Sequence, residues 1–208
     1  CDVKLGTKGL EMISKINWSA PDAEKQATAI FNQAIVDYVN AYLQGGTDAM
    51  GNVLDKKEEK SRAQEYRTLL ANSPYLVDYV KEFNDYLAAY PKGKLAGAED
   101  VLYWAKDTFG LKPVVSGYHA TYYKGPRGAL IANKLLAASH FFNASLELTA
   151  GVPTPDGKGL YLLSLFRTRL DPPTGVLAGA LMGKVRDGIE TGVKENLKRA
   201  RERLAAAR

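Results

Sequence analysis

The fold is decided by the stretch from Leu160 to Leu204, "LYLLSLFRTRLDPPTGVLAGALMGKVRDGIETGVKENLKRARERL". Its first part alternates with a period of two, which predicts a β-strand. The prolines of "DPPTG" then end the strand, because proline cannot donate to a sheet ladder. From Val176 onward, apolar residues recur mostly at four-residue steps, as on one face of a helix. The stretch therefore predicts a last strand, a corner and a long amphipathic helix from Val176 to roughly Ala206.

Both faces of this last strand are largely apolar, which is typical of a strand that is covered on both sides. Arg167 and Arg169 flank Thr168 and therefore project to the same face. Two guanidinium groups on one face can hold an anionic head group through bidentate hydrogen bonds. The alternative is that they reach solvent or pair with an acid on an adjacent strand, such as Glu147.

Upstream of the last strand, the period of two begins near Lys112. The segments "KPVVSGYHATYYKGPRG", "ALIANKLLAAS" and "HFFNASLELTAG" each predict a strand, and "GVPTPDGKG" predicts a hairpin loop. Antiparallel strands that lead into one long helix form an α+β arrangement in which the helix packs across the sheet. The helix contains several glycines, including Gly179, Gly183 and Gly188. We expect a close approach of its backbone to the sheet or to a ligand to offset their low helix propensity.

The first half of the chain has helical periodicity. Helices are predicted in "WSAPDAEKQATAIFNQAIVDYVNAYLQGG", around Ala63 to Ala71, in "NSPYLVDYVKEFNDYLAAYP" and in "AGAEDVLYWAKDTFG", with the polar stretch "TDAMGNVLDKKEEKSR" as a loop. We expect one domain over residues 1–208. Residues 1–6 are a candidate first strand, residues 7–110 are mainly helical, and residues 111–208 hold the antiparallel strands and the long C-terminal helix.

Composition and charge narrow the class of protein. The chain has 208 residues, of which 46% are hydrophobic and 25% are charged, as in an ordinary globular protein. No apolar run reaches the roughly 18 residues of a transmembrane helix. Of the net charge of +5, most lies between Thr174 and Arg208, where eight basic residues stand against four acidic ones. The interleaved acids favour a solvated helix face over a nucleic-acid partner. Peripheral contact of this basic helix with an anionic membrane stays open.

Few sites for chemistry are evident. One cysteine and two distant histidines cannot supply a tetrahedral metal site. The glycines form neither a phosphate-binding loop nor a dinucleotide fingerprint, and no serine lies in a G-x-S-x-G elbow. We therefore expect no metal and no cofactor, and assign no catalytic residue.

The segment from the last strand to the C-terminus resembles the end of START-like helix-grip domains, the superfamily of polyketide cyclases and lipid-transfer proteins. Arg167, Arg169, Asp171 and Pro172 stand where such domains have basic residues and an Asp-Pro corner, and the resemblance extends from Pro113 to Arg208. It implies that a lipid, sterol, polyketide or other apolar molecule binds between the sheet and the long helix. It also implies that some members use residues of that tunnel for catalysis.

Two segments, "AGAEDVLYWAKDTFGLKP" and "ASHFFNASLELTA", make the whole chain similar to a group of uncharacterised bacterial proteins, many of them exported. That similarity brings no function with it, but it implies a periplasmic or extracellular location. Cys1 is either the boundary of a fragment or a lipidated membrane anchor. The strand-like alternation of "CDVKLG" favours the fragment.

The candidate ligand-binding residues are the polar and aromatic groups of the predicted strands: His140, Phe142, His119, Tyr118, Arg167 and Arg169. As part of a strand, His140 would share the apolar face of Phe142 and Leu146. Three hypotheses follow: a module that binds a hydrophobic or amphipathic small molecule between sheet and helix, an enzyme that uses His140 or His119 as acid or base there, and a membrane-associated structural protein.

Overall fold

A computed structural model describes residue 4 and residues 6–55, 58–74, 80–108, 113–171, 175–176 and 178–206. The chain divides into two compact units, Cys1–Leu95 and Ala96–Arg208. The first unit is mainly helical, and the second is an antiparallel sheet followed by a long helix, so the predicted α+β class is confirmed. The expectation that the whole chain is one domain stays a prediction.

The first unit contains four described α-helices, a 3-10 helix and a two-stranded hairpin. In chain order they are α1 (Thr7–Ser14), α2 (Ala23–Gly45), a 3-10 helix (Gly46–Met50), β1 (Asn52–Asp55), β2 (Glu58–Ser61), α3 (Arg62–Ala71) and α4 (Lys81–Ala89). The hairpin β1–β2 occupies part of the predicted polar loop, because Val53 is buried and fixes it to the core. The predicted strand at "CDVKLG", apart from Lys4 and Gly6, and the predicted helical turn around Leu76 lie outside the described residues.

The core of the first unit is aromatic and closely packed. Tyr42, Met50, Tyr66 and Phe83 are completely buried. Gly46 shows how close the packing is: its φ is +60°, and a Cβ placed on it would lie 1.8 Å from the carbonyl oxygen of Tyr90. Only glycine fits such a position, since both the backbone conformation and the contact exclude a side chain.

The second unit is a five-stranded antiparallel sheet whose spatial order follows the chain. Its elements are β3 (Ala98–Thr108), β4 (Pro113–Gly125), β5 (Gly128–Ala138), β6 (Phe142–Pro153), β7 (Leu160–Leu170) and α5 (Ala178–Ala206). The predicted strands around β4 to β7 and the predicted C-terminal helix are confirmed.

The first strand of this sheet corrects the sequence analysis. The segment "AGAEDVLYWAKDTFG" was predicted as a helix that closes the first half, but residues 98–108 form β3. Its apolar run "VLYWA" is so short that it fits both the period of a helix and the period of a strand. Pairing with β4 over the whole length of β3 decides for a strand, with Tyr103 opposite Tyr118 and Trp104 opposite Gly117. The rings of Tyr103 and Tyr118 stack at a centroid distance of 5.2 Å.

The sheet has two faces of different character. The face that we call the Leu135 face has an apolar core of Val114, Leu135 and Ala138, against which Tyr118 and Phe142 pack. The opposite face, the Leu146 face, carries buried polar side chains between apolar ones. It comprises Leu102, Trp104, His119, Thr121, Lys134, Leu146, Leu148, Leu165 and Arg167, with their neighbours in register.

The long C-terminal helix lies against the last strand of the sheet. Helix α5 contacts β7, and its apolar stripe, which includes Leu181, Val185 and Ile189, is half-buried. None of its described residues is buried. A Cβ placed on Gly179 or Gly183 would meet no described heavy atom within 4 Å. The predicted close approach of the helix backbone to the sheet is therefore wrong at these two glycines, and the alternative of a close approach to a ligand stays a prediction.

Candidate functional site

A row of directly paired residues crosses all five strands on the Leu146 face. We call it the cross-strand row, and it consists of Leu102, His119, Lys134, Leu146 and Arg167. Because neighbouring strands lie about 5 Å apart, the row spans roughly 14 Å from His119 to Arg167. Three of its five members have basic side chains. Two of these, His119 and Lys134, are buried, which is unusual for basic residues.

The histidine of this row is held by an aspartate and a threonine. The Nε2 atom of His119 lies 2.8 Å from Oδ1 of Asp100, and the hydroxyl of Thr121 donates to the same oxygen at 2.8 Å. Asp100 and Thr121 are opposite each other in the ladder, one position along from His119. A carboxylate in this position fixes the ring and its tautomer, because it accepts the proton on Nε2.

The environment of His119 favours its neutral form. Burial lowers the pKa of His119 below its usual value, the hydrogen bond and charge of Asp100 raise it, and the positive charge of Lys134 lowers it. The net shift of the pKa is downward, because the side chain of His119 is only 2% exposed. The ring is therefore uncharged at neutral pH and available as a base or as a hydrogen-bonding group.

Lys134 is the most unusual member of the row. It is 1% exposed and lies between buried Ala132 and buried Leu146 on the same face. Lysine is almost never fully buried unless its charge is compensated. Arg167, at the far end of the row, is half-buried, and Arg169, two residues on, is exposed. Positive charge thus extends from the buried centre of the face to its edge strand.

Next to the row, the same face becomes continuously apolar. We call this region the apolar strip, and it consists of Leu148, Ala150 and Val152 on β6 with Leu165, Leu163 and Tyr161 opposite them on β7. Exposure increases along the strip, from 8% at Leu148 to 55% at Leu163 and 58% at Tyr161. From Leu146 to Val152 the strand covers about 20 Å. A large apolar surface that remains exposed next to buried cations is typical of a binding site.

The six candidate residues from the sequence do not form one group. His119, Arg167 and Arg169 share the Leu146 face, as the alternation predicts. Tyr118 and Phe142 pack on the opposite Leu135 face. Phe142 is on that side because Asn143 is bulged, so that Phe142 pairs with Leu170 while Ala144 pairs with Arg169. A bulge shifts the alternation by one position.

His140 is the clearest correction. It was predicted at the end of a strand, on the face of Leu146, but it lies in the connection between β5 and β6. The amide of Phe142 donates to the carbonyl oxygen of His140 at 2.6 Å, and Phe141 has a φ of +60°. This tight turn takes His140 out of the ladder. Its ring is half-buried and lies 5.7 Å from the ring of Phe141, centroid to centroid.

Two acids near the arginines have different positions. Glu147 pairs with Phe166 and therefore lies on the face opposite Arg167, so the suggested pairing of Glu147 with the arginines does not fit the register. Asp171 fixes the corner after β7: its carboxylate accepts a hydrogen bond from the side-chain Nδ2 of Asn143 at 2.7 Å, and its backbone N–H donates to the carbonyl oxygen of Phe141. Pro172 lies outside the described residues.

The sequence analysis missed three members of the site, Asp100, Thr121 and Lys134. Asp100 was assigned to a helix, and so its pairing with β4 was not considered. Lys134 had a detectable signal, because it is the only charged residue in "ALIANKLLAAS" and its position in the alternation places it on a buried face. Its register opposite His119 depends on pairing between strands and is not visible in either strand alone.

No protein-family model, curated protein or solved structure matches the chain. The five-stranded antiparallel sheet followed by a long helix is compatible with a helix-grip fold. Among the described helices, none combines the length and apolarity needed to span a membrane. Within the same residues, no group of three or more His, Cys, Asp or Glu side chains is placed to hold a metal ion.

Proposed function

We propose that the protein binds an amphipathic small molecule on the Leu146 face, with an anionic head group at the cross-strand row and an apolar part along the apolar strip. The observation that carries this proposal is the position of Lys134, a fully buried cation at the end of an apolar surface that is exposed at Tyr161 and Leu163. Such a surface matches a molecule with one charged end and one apolar end.

Helix α5 supports the same proposal. It contacts β7, which carries Arg167 and half of the apolar strip. The apolar stripe of α5 is half-buried, so both the helix and the strip have apolar surface left to bury. Burial of this surface against a ligand stabilises the complex by about 25 cal/mol for each Å² removed from water. A ligand between sheet and C-terminal helix is also what the START-like resemblance implies.

The first test measures how much the apolar strip contributes to ligand binding. A fluorescent fatty acid is titrated into the protein after removal of lipids by organic extraction. Replacement Leu163→Gln is expected to weaken binding at least tenfold. Replacement Leu160→Gln is the matched control, since Leu160 is also exposed in this hairpin but packs on the other face, beside Gly151. Equal affinities of the two variants would contradict the proposed site. Native mass spectrometry of protein purified from bacteria is expected to show a co-purified amphipathic molecule.

A second candidate function is acid–base catalysis on such a molecule, and the contact of Asp100 with His119 favours it. A neutral histidine that is oriented by a carboxylate can accept a proton in a reaction. The test compares His119→Ala with His140→Ala, the other histidine of the chain, in a screen of fatty acyl esters of different chain length. Catalysis by this site requires that His119→Ala removes turnover while His140→Ala retains it. Equal rates of turnover in the two variants would exclude catalysis by His119.

A further inference from the structure

The apolar stripe of α5 turns around the helix axis along its length. Its residues recur mostly at four-residue steps, whereas an α-helix has 3.6 residues per turn, so each step moves the stripe by about 40°. The first part of the stripe, at Leu181, Val185 and Ile189, therefore points roughly a quarter turn away from the last part. A single flat surface cannot cover both parts. The last part consists of Val193, Leu197, Ala200 and Leu204, and we call it the C-terminal apolar patch.

The C-terminal apolar patch remains accessible in the folded chain. Leu204 is 46% exposed, and the other three members are half-buried. From Val193 to Leu204 the patch extends about 17 Å along the helix. Apolar area of this kind stabilises a complex when a partner removes it from water.

The charged residues around the patch are arranged by sign. Lys194 and Arg201 border it on one side and Arg203 borders it on the other, each at about 90° or less from its centre. Glu195 and Glu202 lie about 170° from that centre, on the far side of the helix. All five side chains are exposed. Positive charge is therefore placed beside the apolar surface, and negative charge is kept away from it.

Ion pairs along the helix do not remove this positive charge. Residues 189–206 contain five basic side chains against three acidic ones, which leaves a net charge of +2. The acids pair with bases four positions away, as Glu195 does with Arg199 at 3.4 Å and Glu202 with Lys198 at 3.9 Å. Such exposed pairs contribute little to stability. The excess of positive charge lies in the same turns as the patch.

The surface of an anionic bilayer fits this arrangement better than a protein or a nucleic acid. Basic side chains at the borders of an apolar face reach the lipid phosphates while the face is buried among the acyl chains. In a pair of these helices, the residues that border the patch would face each other, and their like charges would repel. Nucleic acid would contact the basic residues through its phosphates and leave the patch exposed.

From the patch and the placement of the charges, we infer that the C-terminal part of α5 binds the surface of bilayers that contain anionic phospholipids. The C-terminal apolar patch is buried at the boundary between head groups and acyl chains, and Lys194, Arg201 and Arg203 contact lipid phosphates. This surface differs from the proposed ligand site on the Leu146 face, so either proposal can fail without the other.

Vesicle sedimentation tests the inference on the intact chain. Sucrose-loaded vesicles consist either of phosphatidylcholine alone or of phosphatidylcholine with about 30% phosphatidylglycerol, the anionic lipid. The protein is expected to sediment with the anionic vesicles at about 0.05 M KCl and to bind at least tenfold more weakly at about 0.5 M KCl, because salt screens the attraction. Binding to phosphatidylcholine alone is expected to be weaker by at least the same factor.

Charge variants then locate the surface. Replacement of Arg201 and Arg203 together by Gln removes two positive charges at the borders of the patch and is expected to weaken binding at least tenfold. Replacement of Lys15 and Lys25 together by Gln is the matched control, because it removes two exposed positive charges from the first unit. This control is expected to bind as the unmodified protein does. Equal losses in the two variants would overturn the assignment of the surface to α5.

Apolar variants test the patch itself. Leu204→Gln is expected to weaken binding to anionic vesicles at least fivefold, since the leucine no longer enters the bilayer. Leu43→Gln is the control, because Leu43 is a leucine of α2 with a similar exposure of 40%. Circular dichroism checks that both variants keep their helices.

Three results would overturn the inference. The first is equal binding to the two kinds of vesicle, and the second is no binding to either. The third is a dimer in solution that Leu204→Gln dissociates, without any binding to vesicles, since the patch would then pair with a second copy of the chain.

Discussion

Each of the two units buries a basic side chain, but in different surroundings. Arg62 in the first unit lies with its Cζ 5.6 Å from the ring centroid of Tyr38 and donates to the carbonyl oxygen of Met50 at 3.4 Å. Burial lowers the pKa of Arg62 and raises that of Tyr38 to about 12, so the ring stays neutral beside the cation. Lys134 in the second unit lies instead in the cross-strand row, next to the buried end of the apolar strip.

The difference lies in the neighbours of each cation: Arg62 joins two elements of its unit, whereas Lys134 lies opposite the buried His119. Arg62 links the start of α3 to the segment before β1, through contacts that belong to the protein itself. Lys134 lies opposite His119 in the ladder, and its positive charge lowers the pKa of that histidine. Burial of a charge carries a desolvation cost that can exceed the gain from its pairing. The predictions below test this contrast in order of expected effect.

The largest effect is expected in the closely packed unit. Gly46→Ala places a Cβ 1.8 Å from the carbonyl oxygen of Tyr90 and forces a non-glycine residue to a φ of +60°. We expect the first unit to lose about 3 kcal/mol of unfolding free energy or more. Gly51→Ala is the control: its φ is +64°, but no described atom lies within 4 Å of the added Cβ, so only the backbone strain of about 1–3 kcal/mol applies. Urea unfolding followed through Trp18 in a Trp104→Phe background measures both.

The two buried cations are expected to respond in opposite directions to the same replacement. Arg62→Met removes a charged hydrogen bond and the contact with Tyr38, and should destabilise the first unit by roughly 2 kcal/mol. Lys134→Met removes the desolvation cost of a buried charge and leaves an apolar side chain of similar length beside Ala132 and Leu146, and should stabilise the second unit by about 1 kcal/mol. Separate unfolding curves from Trp18 and Trp104 report the two units. Destabilisation by both variants would remove the distinction between them.

A smaller gain is expected in the C-terminal helix. Gly183→Ala adds a methyl group where no described atom lies within 4 Å, so helix propensity decides the result. The expected stabilisation is up to about 1 kcal/mol, measured by thermal unfolding followed by circular dichroism. Gly117→Ala is the contrasting change in the sheet, because its Cβ would lie 3.0 Å from the Trp104 ring, and a loss of stability is expected there. A destabilising Gly183→Ala would show that α5 packs more closely than the structure indicates.

The smallest effect is a change in pH dependence. Because the pKa of His119 is lower in the folded than in the unfolded protein, protonation favours the unfolded state. The contribution of His119 is fully present above its unfolded pKa of about 6.5 and is lost as pH falls toward its folded pKa. His119→Gln keeps a donor for Asp100 but does not titrate in this range. We expect the second unit to lose less stability on acidification in this variant, measured by urea unfolding in buffers on both sides of pH 6.5. Identical pH profiles would contradict a buried, neutral His119.

Much of the second unit could be predicted from its sequence, because its periodicities are long and regular. The alternation of β4 and β7 places His119 and Arg167 on their correct faces, and the four-residue steps give the helix to within a few residues. The predictions that are wrong concern structure that depends on contacts between residues distant in sequence. The run "VLYWA" forms a strand because β4 is available for pairing, and no local signal distinguishes this from a helix.

The candidate site could be predicted only in part, for similar reasons. Alternation assigns a face to each residue, but the turn at Phe141 and the bulge at Asn143 interrupt it and separate His140 and Phe142 from Leu146. The placement of these charged residues on one face appears only when strands are placed side by side, since Asp100, Lys134 and Arg167 come from three different strands. A single sequence shows each of these charges but not the face that they share.

The order of the strands has a consequence for how the second unit folds. From Ala98 onward, every strand of the sheet pairs with the strand just before it in the chain. Contacts between neighbours in sequence close short loops, and proteins rich in such contacts fold faster than those that must join distant segments. A chain that leaves the ribosome from its N-terminus can therefore add this sheet one hairpin at a time, and each strand finds its partner already made.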